Sequence, residues 1–350
     1  MVALTAVAAT AAAAAGTALY LDRDPAHRNT ASHDPSVPAP SATAPATVTP
    51  TPAPHTSPSR RHTRPGPGND SAGPLPPTKQ PSAPSRPPVT AKGPVYAVAL
   101  DQSKVSRWTG KGTSWAEIGT EAGKVYAGEA GVFATNPIDG RIFRYDGTPG
   151  AWTEIGSAGA DFAISGRTLY GLSPSRDAVT RYDRPGTWTG IGGPARDIYA
   201  GGAGLFATRP ANGDLMQYNG TPGSWTRIGG PGHTFAVGPH TVYGLSPDRS
   251  EVWQWTGKDD VWTKIGGPAD TIYAGGAGLF KTDPDTGRIY RYDGDPGKWT
   301  GIGGPGAMFA VDDHHLYRLS TDRRSMWRWT GHGDTWKRIG GPASTLTATD

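Results

Sequence analysis

Beyond residue 94 the apolar residues fall in short runs rich in β-branched and aromatic side chains, and each run gives way to Gly, Pro, Asp or Thr. One unit reads Ile272-Tyr273-Ala274, then Gly278-Leu279-Phe280-Lys281-Thr282, then Arg288-Ile289-Tyr290-Arg291-Tyr292, then Trp299-Thr300-Gly301-Ile302. Between them lie Gly275-Gly276, Asp283-Pro284-Asp285-Thr286-Gly287 and Asp293-Gly294-Asp295-Pro296-Gly297. These are turn residues, because Gly supplies positive φ, Pro presets φ and Asp bonds its own backbone. Four short strands in about 37 residues predict one four-stranded antiparallel sheet. No stretch past the N-terminus has a 3.6-residue apolar period, so the pattern predicts essentially no helix there.

The unit recurs. Trp-x-x-Ile-Gly starts at Trp115, Trp152, Trp188, Trp225, Trp262, Trp299 and Trp336, in steps of 37, 36, 37, 37, 37 and 37 residues. A sheet this small cannot bury its own apolar face and must pack on its copies, which predicts an all-β propeller of about seven four-stranded antiparallel blades over residues 94–350. Val95-Tyr96-Ala97-Val98 aligns with the second strand Val242-Tyr243-Gly244-Leu245, so the first unit lacks its own first strand. The C-terminal Pro342-Ala343-Ser344-Thr345-Leu346-Thr347-Ala348 aligns with the first strand in Pro268-Ala269-Asp270-Thr271-Ile272-Tyr273-Ala274. The C-terminal strand is therefore expected to complete the first blade and close the ring, which removes a sheet edge in a chain with no cysteine to staple it. The units also alternate between an Ile-Tyr-Ala kind and a Phe-Ala-Val kind. With seven units two of the second kind meet at the closure, a mismatch that six or eight would avoid.

Residues 1–21 are almost entirely Ala, Val, Leu and Thr, a run of the length that spans a bilayer or forms the apolar core of a secretory signal. We expect this segment to be a signal peptide or membrane anchor, the chain's contact with a membrane. No Lys or Arg precedes the run, which is irregular for either role and suggests residues missing at the start. Residues 22–93 contain 18 of the chain's 34 Pro and no aromatic residue, so they cannot bury enough apolar area to offset chain entropy and are expected to be a disordered linker. At roughly 3.1 Å per residue, about 65 residues of such chain reach on the order of 200 Å, enough to hold a domain away from a cell surface.

Charge divides in the same place. Residues 1–94 hold 8 of the 34 Lys/Arg and 4 of the 30 Asp/Glu, leaving 26 of each in residues 95–350. A formally neutral ring is poor ground for a nucleic-acid partner, which calls for a basic face. The motifs of nucleophilic catalysis, phosphate cradling and zinc binding are missing from the sequence, so neither an enzyme nor a cofactor is expected. His314-His315 is a lone pair. Asp283-Pro284-Asp285-Thr286-Gly287 has too few oxygens for calcium and reads as a hairpin turn. Asn219-Gly220-Thr221 matches a glycosylation sequon, yet sister units have Asp-Gly-Thr or Asp-Gly-Asp there, so it too reads as a turn.

Each unit carries Arg or Gln followed by Tyr or Trp before its third turn, as in Arg144-Tyr145, Gln217-Tyr218 and Arg291-Tyr292. On a strand such neighbours face opposite sides. One reading makes them sugar sites, with the aromatic face on pyranose C–H groups and Arg144, Gln217 or Arg291, with the following Asp146, Asn219 or Asp293, bonding hydroxyls. The other makes them wedges between blades, and the motif Trp residues read as inter-blade packing as well.

These repeats, Trp-x-x-Ile-Gly-Gly followed by Ile-Tyr-Ala-Gly or Phe-Ala-Val, Leu-Tyr-Gly-Leu or Leu-Phe-Ala-Thr and an Arg-Tyr or Gln-Trp pair, resemble tectonin-type β-propellers over residues 94–350. The resemblance implies lectin-like, non-catalytic recognition of surface glycans. The apolar segment, the stalk and the Ala/Gly/Pro-rich composition look like the extracellular part of a high-GC Gram-positive surface protein. The expected function is extracellular recognition of a glycan or cell-wall polymer through Arg144, Tyr145, Asp146, Gln217, Tyr218, Asn219, Arg291, Tyr292 and Asp293. The alternative is a protein-interaction or sensor domain of a membrane-anchored protein.

Overall fold

A computed structural model describes residues 95–349. The expectations for residues 1–21 and 22–93 lie outside the described residues. Within them the chain forms 28 strands in seven four-stranded antiparallel sheets, and no helix. Strands a to d run outward in each blade. Blade 1 consists of Thr345–Ala348, Val95–Val98, Val105–Trp108 and Trp115–Gly119. Blade 2 is Lys124–Gly128, Gly131–Thr135, Ile142–Tyr145 and Trp152–Gly156, and blade 3 is Asp161–Ser165, Thr168–Leu172, Val179–Arg184 and Thr187–Gly192. Blade 4 is Ile198–Gly201, Gly204–Thr208, Leu215–Tyr218 and Trp225–Gly229, and blade 5 is Thr234–Val237, Val242–Leu245, Val252–Trp255 and Trp262–Gly266. Blade 6 is Ile272–Gly275, Gly278–Thr282, Ile289–Tyr292 and Trp299–Gly303, and blade 7 is Met308–Val311, Leu316–Leu319, Met326–Trp329 and Trp336–Gly340.

Each a strand packs beside those of the two neighbouring blades, so seven a strands line a closed central ring. They are the most buried elements, whereas the d strands keep their Ile buried and turn intervening residues outward. The ring closes as the repeat alignment predicts. Val95–Val98 pairs antiparallel with Thr345–Ala348, in the register Val95 with Ala348 and Val98 with Thr345. The Ser344 amide adds a bond to the Val98 carbonyl at 2.8 Å.

The mismatch expected at an odd number of blades is absorbed by the a strand. Entering blades 2, 4 and 6, the d–a loop carries buried Ala122, Ala195 and Ala269, followed three residues later by Val125, Ile198 and Ile272. The amides of these alanines donate to the carbonyls of Gln102, Arg176 and Arg249 in the preceding blade, each held at φ of 60–61°. Entering blades 3, 5 and 7, the same positions hold Gly159, Gly232 and Gly306, then Phe162, Phe235 and Phe309. A Cβ on those glycines would lie 2.7, 2.6 and 3.0 Å from the ring of its Phe, so the small residue makes room for the large one. Each Phe meets a tyrosine of the preceding blade's a strand edge-on, with centroids 5.6, 5.5 and 5.4 Å apart. Entering blade 1, the loop carries Ala343 and Leu346, and the Ala343 amide donates at 3.1 Å to Arg323, whose φ is 57°. The pairing at this position thus depends on the blade before it. Blade 1 has b and c strands of one kind and an a strand suited to blade 7.

Removing residues 344–350 strips blade 1 of its inner strand and buried Leu346. Several buried side chains and four strand pairings go with it, so the melting temperature should fall by on the order of 10 °C or more. Thermal unfolding followed by circular dichroism measures this, and an unchanged midpoint would mean that the ring does not depend on the closing strand.

Candidate binding surface

The Trp-x-x-Ile-Gly motif acts between blades. Each indole N–H donates to the carbonyl of the motif Ile in the preceding blade: Trp152 to Ile118, Trp188 to Ile155, Trp225 to Ile191, Trp262 to Ile228, Trp299 to Ile265 and Trp336 to Ile302, at 2.6–3.0 Å. Trp115 completes the circuit by donating to Ile339 across the closure at 2.6 Å. The motif glycine permits the approach, since a Cβ at Gly119, Gly156, Gly192, Gly229, Gly266, Gly303 or Gly340 would sit 2.5–3.0 Å from the indole. These seven tryptophans are part of the frame.

The Arg/Gln–aromatic pairs lie at the same seams. Tyr145, Tyr218 and Tyr292 turn their rings onto Trp152, Trp225 and Trp299 of the adjacent d strand, at centroid distances of 5.1, 5.1 and 5.0 Å. Burial raises the phenol pKa values of Tyr145 and Tyr292, and the Arg107 guanidinium of the preceding blade partly offsets the rise at Tyr145. Where the pair carries Trp, the indole instead reaches into its own c–d turn: Trp108, Trp255 and Trp329 donate to Gly112, Asp259 and Gly333 at 3.0, 2.9 and 2.8 Å. The Arg members lie across the seam, with Arg291 5.9 Å from the Trp329 ring and Arg328 5.3 Å from the Trp108 ring. Among the polar members, Arg144 bonds Asp146, which also accepts from Thr153. Asp293 accepts from Thr300, and Asn219 is bonded to Ser224 and Thr226. Gln217 is half-buried, while Asn219, Arg291 and Asp293 are exposed. The nine expected residues therefore form three separate groups, one in each of blades 2, 4 and 6.

The other titratable motifs serve turns. Asp283 accepts from the Asp285 and Thr286 amides and the Thr286 hydroxyl, and these bonds lower its pKa. Asp312, buried, accepts from the His314 and His315 amides and the Tyr317 hydroxyl. Burial lowers the His315 pKa against an opposing pull from Asp312. At the a–b end of the ring a cavity of about 280 Å³ is walled largely by glycine backbone, with Glu129 and Asp313 at its edge. Glu129 is held by Arg167 at 2.8 Å. Among the described residues no group of three His, Asp or Glu could hold a metal ion, and no helix is long and apolar enough to cross a membrane.

One further feature was missed at the level of sequence. Beside the motif tryptophans, clefts open between the d–a loop and strands b and c. The cleft in blade 2, of about 220 Å³, is lined by Glu121, Ala134, Phe143 and Trp152, and that in blade 4, of about 280 Å³, by Ala207, Arg209, Met216 and Trp225. At the position of Ala134 and Ala207 on strand b, blades 6 and 7 carry Lys281 and Arg318. That substitution is visible in the aligned repeats, but its meaning depends on what lies across the seam.

Comparisons with family models and with curated proteins return no match to this chain. Among solved structures, a functionally unknown protein from Desulfotomaculum acetoxidans is similar at 11% identity, covering 74% of this chain and 100% of its own, with a TM-score of 0.49. The CRINKLY WD40 ectodomain of the Arabidopsis thaliana receptor kinase ACR4 is similar at 13% identity, covering 73% and 94%, with a TM-score of 0.47. YCF48 bound to D1 peptide is similar at 11% identity, covering 72% and 87%, with a TM-score of 0.47.

Two substitutions test the assignment of these residues to the frame. Gly156→Ala places a methyl 2.5 Å from the Trp188 nitrogen and should cost about 1–3 kcal/mol in urea unfolding. Tyr292→Ala removes a ring packed on Trp299, and a loss of about 2 kcal/mol or more is expected. Unchanged stability for Tyr292→Ala would return that residue to a binding role.

Proposed function

We propose that the propeller is a non-catalytic recognition module that binds a protein partner. The observation that carries this reading is the division of labour in the ring. Recurring aromatic and hydrogen-bonding groups hold blade to blade, and what varies between blades is the turns and the inter-blade clefts. A rigid ring with a varied rim suits recognition of a shaped macromolecular surface. Fold alone does not choose the partner. The apolar segment at residues 1–21 and the proline-rich segment at 22–93 support display of the ring outside the cell, tethered or secreted.

A second reading is carbohydrate binding. It is favoured by the exposed Asn219, Arg291 and Asp293 on the rim, beside aromatic residues, and by the resemblance to tectonin-type repeats. Against it, Tyr145 is 9% exposed and its ring is already packed on Trp152, which leaves little face for a sugar.

The full chain applied in parallel to a peptide array and to a glycan array with isolated wall polymers separates the two. Saturable binding to peptides with none to glycans is the expected result. Binding competed by a single monosaccharide would overturn the protein reading in favour of a lectin.

A further inference from the structure

The inter-blade cleft at Trp152 is a binding pocket for a basic side chain: we infer that it accepts a lysine or arginine presented by a partner. The inference rests on the protein-partner reading and names the chemistry of one contact.

The warrant is that the chain fills the same cleft with its own cations elsewhere. In blade 6 the Lys281 ammonium lies 4.9 Å from the centroid of the Trp299 ring and donates to the Pro268 carbonyl at 3.0 Å and the Gly267 carbonyl at 3.5 Å. In blade 7 the Arg318 guanidinium lies near two indoles, 4.7 Å from the Trp336 ring and 5.9 Å from the Trp327 ring, and donates to the Gly304 carbonyl at 3.4 Å. Both arrangements join a cation to an aromatic face and to loop carbonyls, contacts that partly offset the desolvation of the ammonium or guanidinium.

Blade 2 keeps the receptor and lacks the occupant. Trp152 stands where Trp336 does. Phe143, across the strand pair from Ala134, stands where Trp327 faces Arg318. Thr120 and Glu121 occupy the loop positions of Gly267 and Pro268. At the place of Lys281 and Arg318 is Ala134, and the space that the longer side chain would fill is the cleft of about 220 Å³. One difference adds to the cation's attraction. Where the loops entering blades 4, 6 and 7 have Pro194, Pro268 and Pro305, this one has Glu121, exposed and in no ion pair among the described residues. A carboxylate beside an aromatic pair suits a positive guest.

The sister cleft in blade 4 differs in the opposite sense. Met216 replaces the second aromatic residue and Arg209 lines the wall, so like-charge repulsion opposes a cation there. In blades 3 and 5 the position is Gly171 or Gly244, and the rings of Phe162 and Phe235 stand 3.1 Å from where a Cβ would be. In blade 1 the position is Ala97, but Ser106 stands in place of Phe143 and Pro342 in place of Glu121. The Trp152 cleft is thus distinguished within the ring by two aromatic residues, an acidic wall and an open centre.

The test uses the full chain labelled with nitrogen-15. The Trp152 indole resonance is identified by its loss in Trp152→Phe. Nα-acetyl-lysine amide, Nα-acetyl-arginine amide and the neutral isostere Nα-acetyl-norleucine amide are titrated in turn. The basic probes should shift the Trp152 resonance saturably, with millimolar dissociation constants and norleucine at least about fivefold weaker, while Trp225 barely moves. Ala134→Lys fills the cleft with the chain's own cation, as blade 6 does, and should abolish the response. Glu121→Gln leaves the aromatic pair in place and should weaken binding about threefold to tenfold. Equal response to norleucine, or a full response in folded Ala134→Lys, overturns the pocket. Should Ala134→Lys not fold, Glu121→Gln and the norleucine comparison decide alone. Array peptides bound equally by wild type and Glu121→Gln would overturn the pocket and leave the protein-partner reading standing. Basic probes in the cleft without any array peptide bound would sustain the pocket and count against that reading.

Discussion

The hydrogen bond from each outer-strand indole to the Ile carbonyl of the blade before it organises this molecule. A buried indole N–H needs an acceptor, and the acceptor here belongs to another sheet. Glycine follows the isoleucine because only a residue without Cβ lets the indole come that close. In four seams the same carbonyl also accepts a loop amide, from Gly150, Gly186, Gly223 or Gly297. Each bond contributes only about 0.5–1.5 kcal/mol net. Repeated around a closed ring, it ties every sheet to both neighbours at its outer edge, while the packed a strands do so at the axis.

Inner and outer ties impose different demands. The outer tie is identical in all seven seams, so it places no condition on the number of blades. The inner seams come in two forms, an alanine with an aliphatic residue and a glycine with phenylalanine, and strict alternation of the two would require an even number. The chain satisfies seven by uncoupling a blade's a strand from its b and c strands. Because blade 1 draws its a strand from the C-terminus, Ala343 and Leu346 match blade 7 without disturbing Val95–Trp108.

With so much of the repeat committed to seams, the recognition proposed above draws on departures from it. Lys281, Arg318 and Ala134 stand at one position of the repeat yet have three consequences, two filled clefts and an open one. Glu121 in place of proline is a departure of the same kind. Positions common to all blades report on the frame; positions that break the pattern report on what individual blades face.

Strand lengths, turns, blade number and the closing strand were legible in the chain because each depends on local periodicity or on alignment of one unit with another. The recurrence of Arg144-Tyr145, Gln217-Tyr218 and Arg291-Tyr292 was legible too. Their surroundings were not, since alternation along a strand assigns a side chain to a face without saying what stands opposite. Only the tertiary structure decided that Tyr145 rests on Trp152, that Arg291 lies across a seam from Trp329 and that an alanine leaves a cleft where a lysine would fill it. The physical reason is that the Arg291–Trp329 contact joins different blades, while the Tyr145–Trp152 contact and the cleft depend on how strands pair and twist within a blade and on how the loop from the blade before it lies against them, quantities that a linear repeat does not carry.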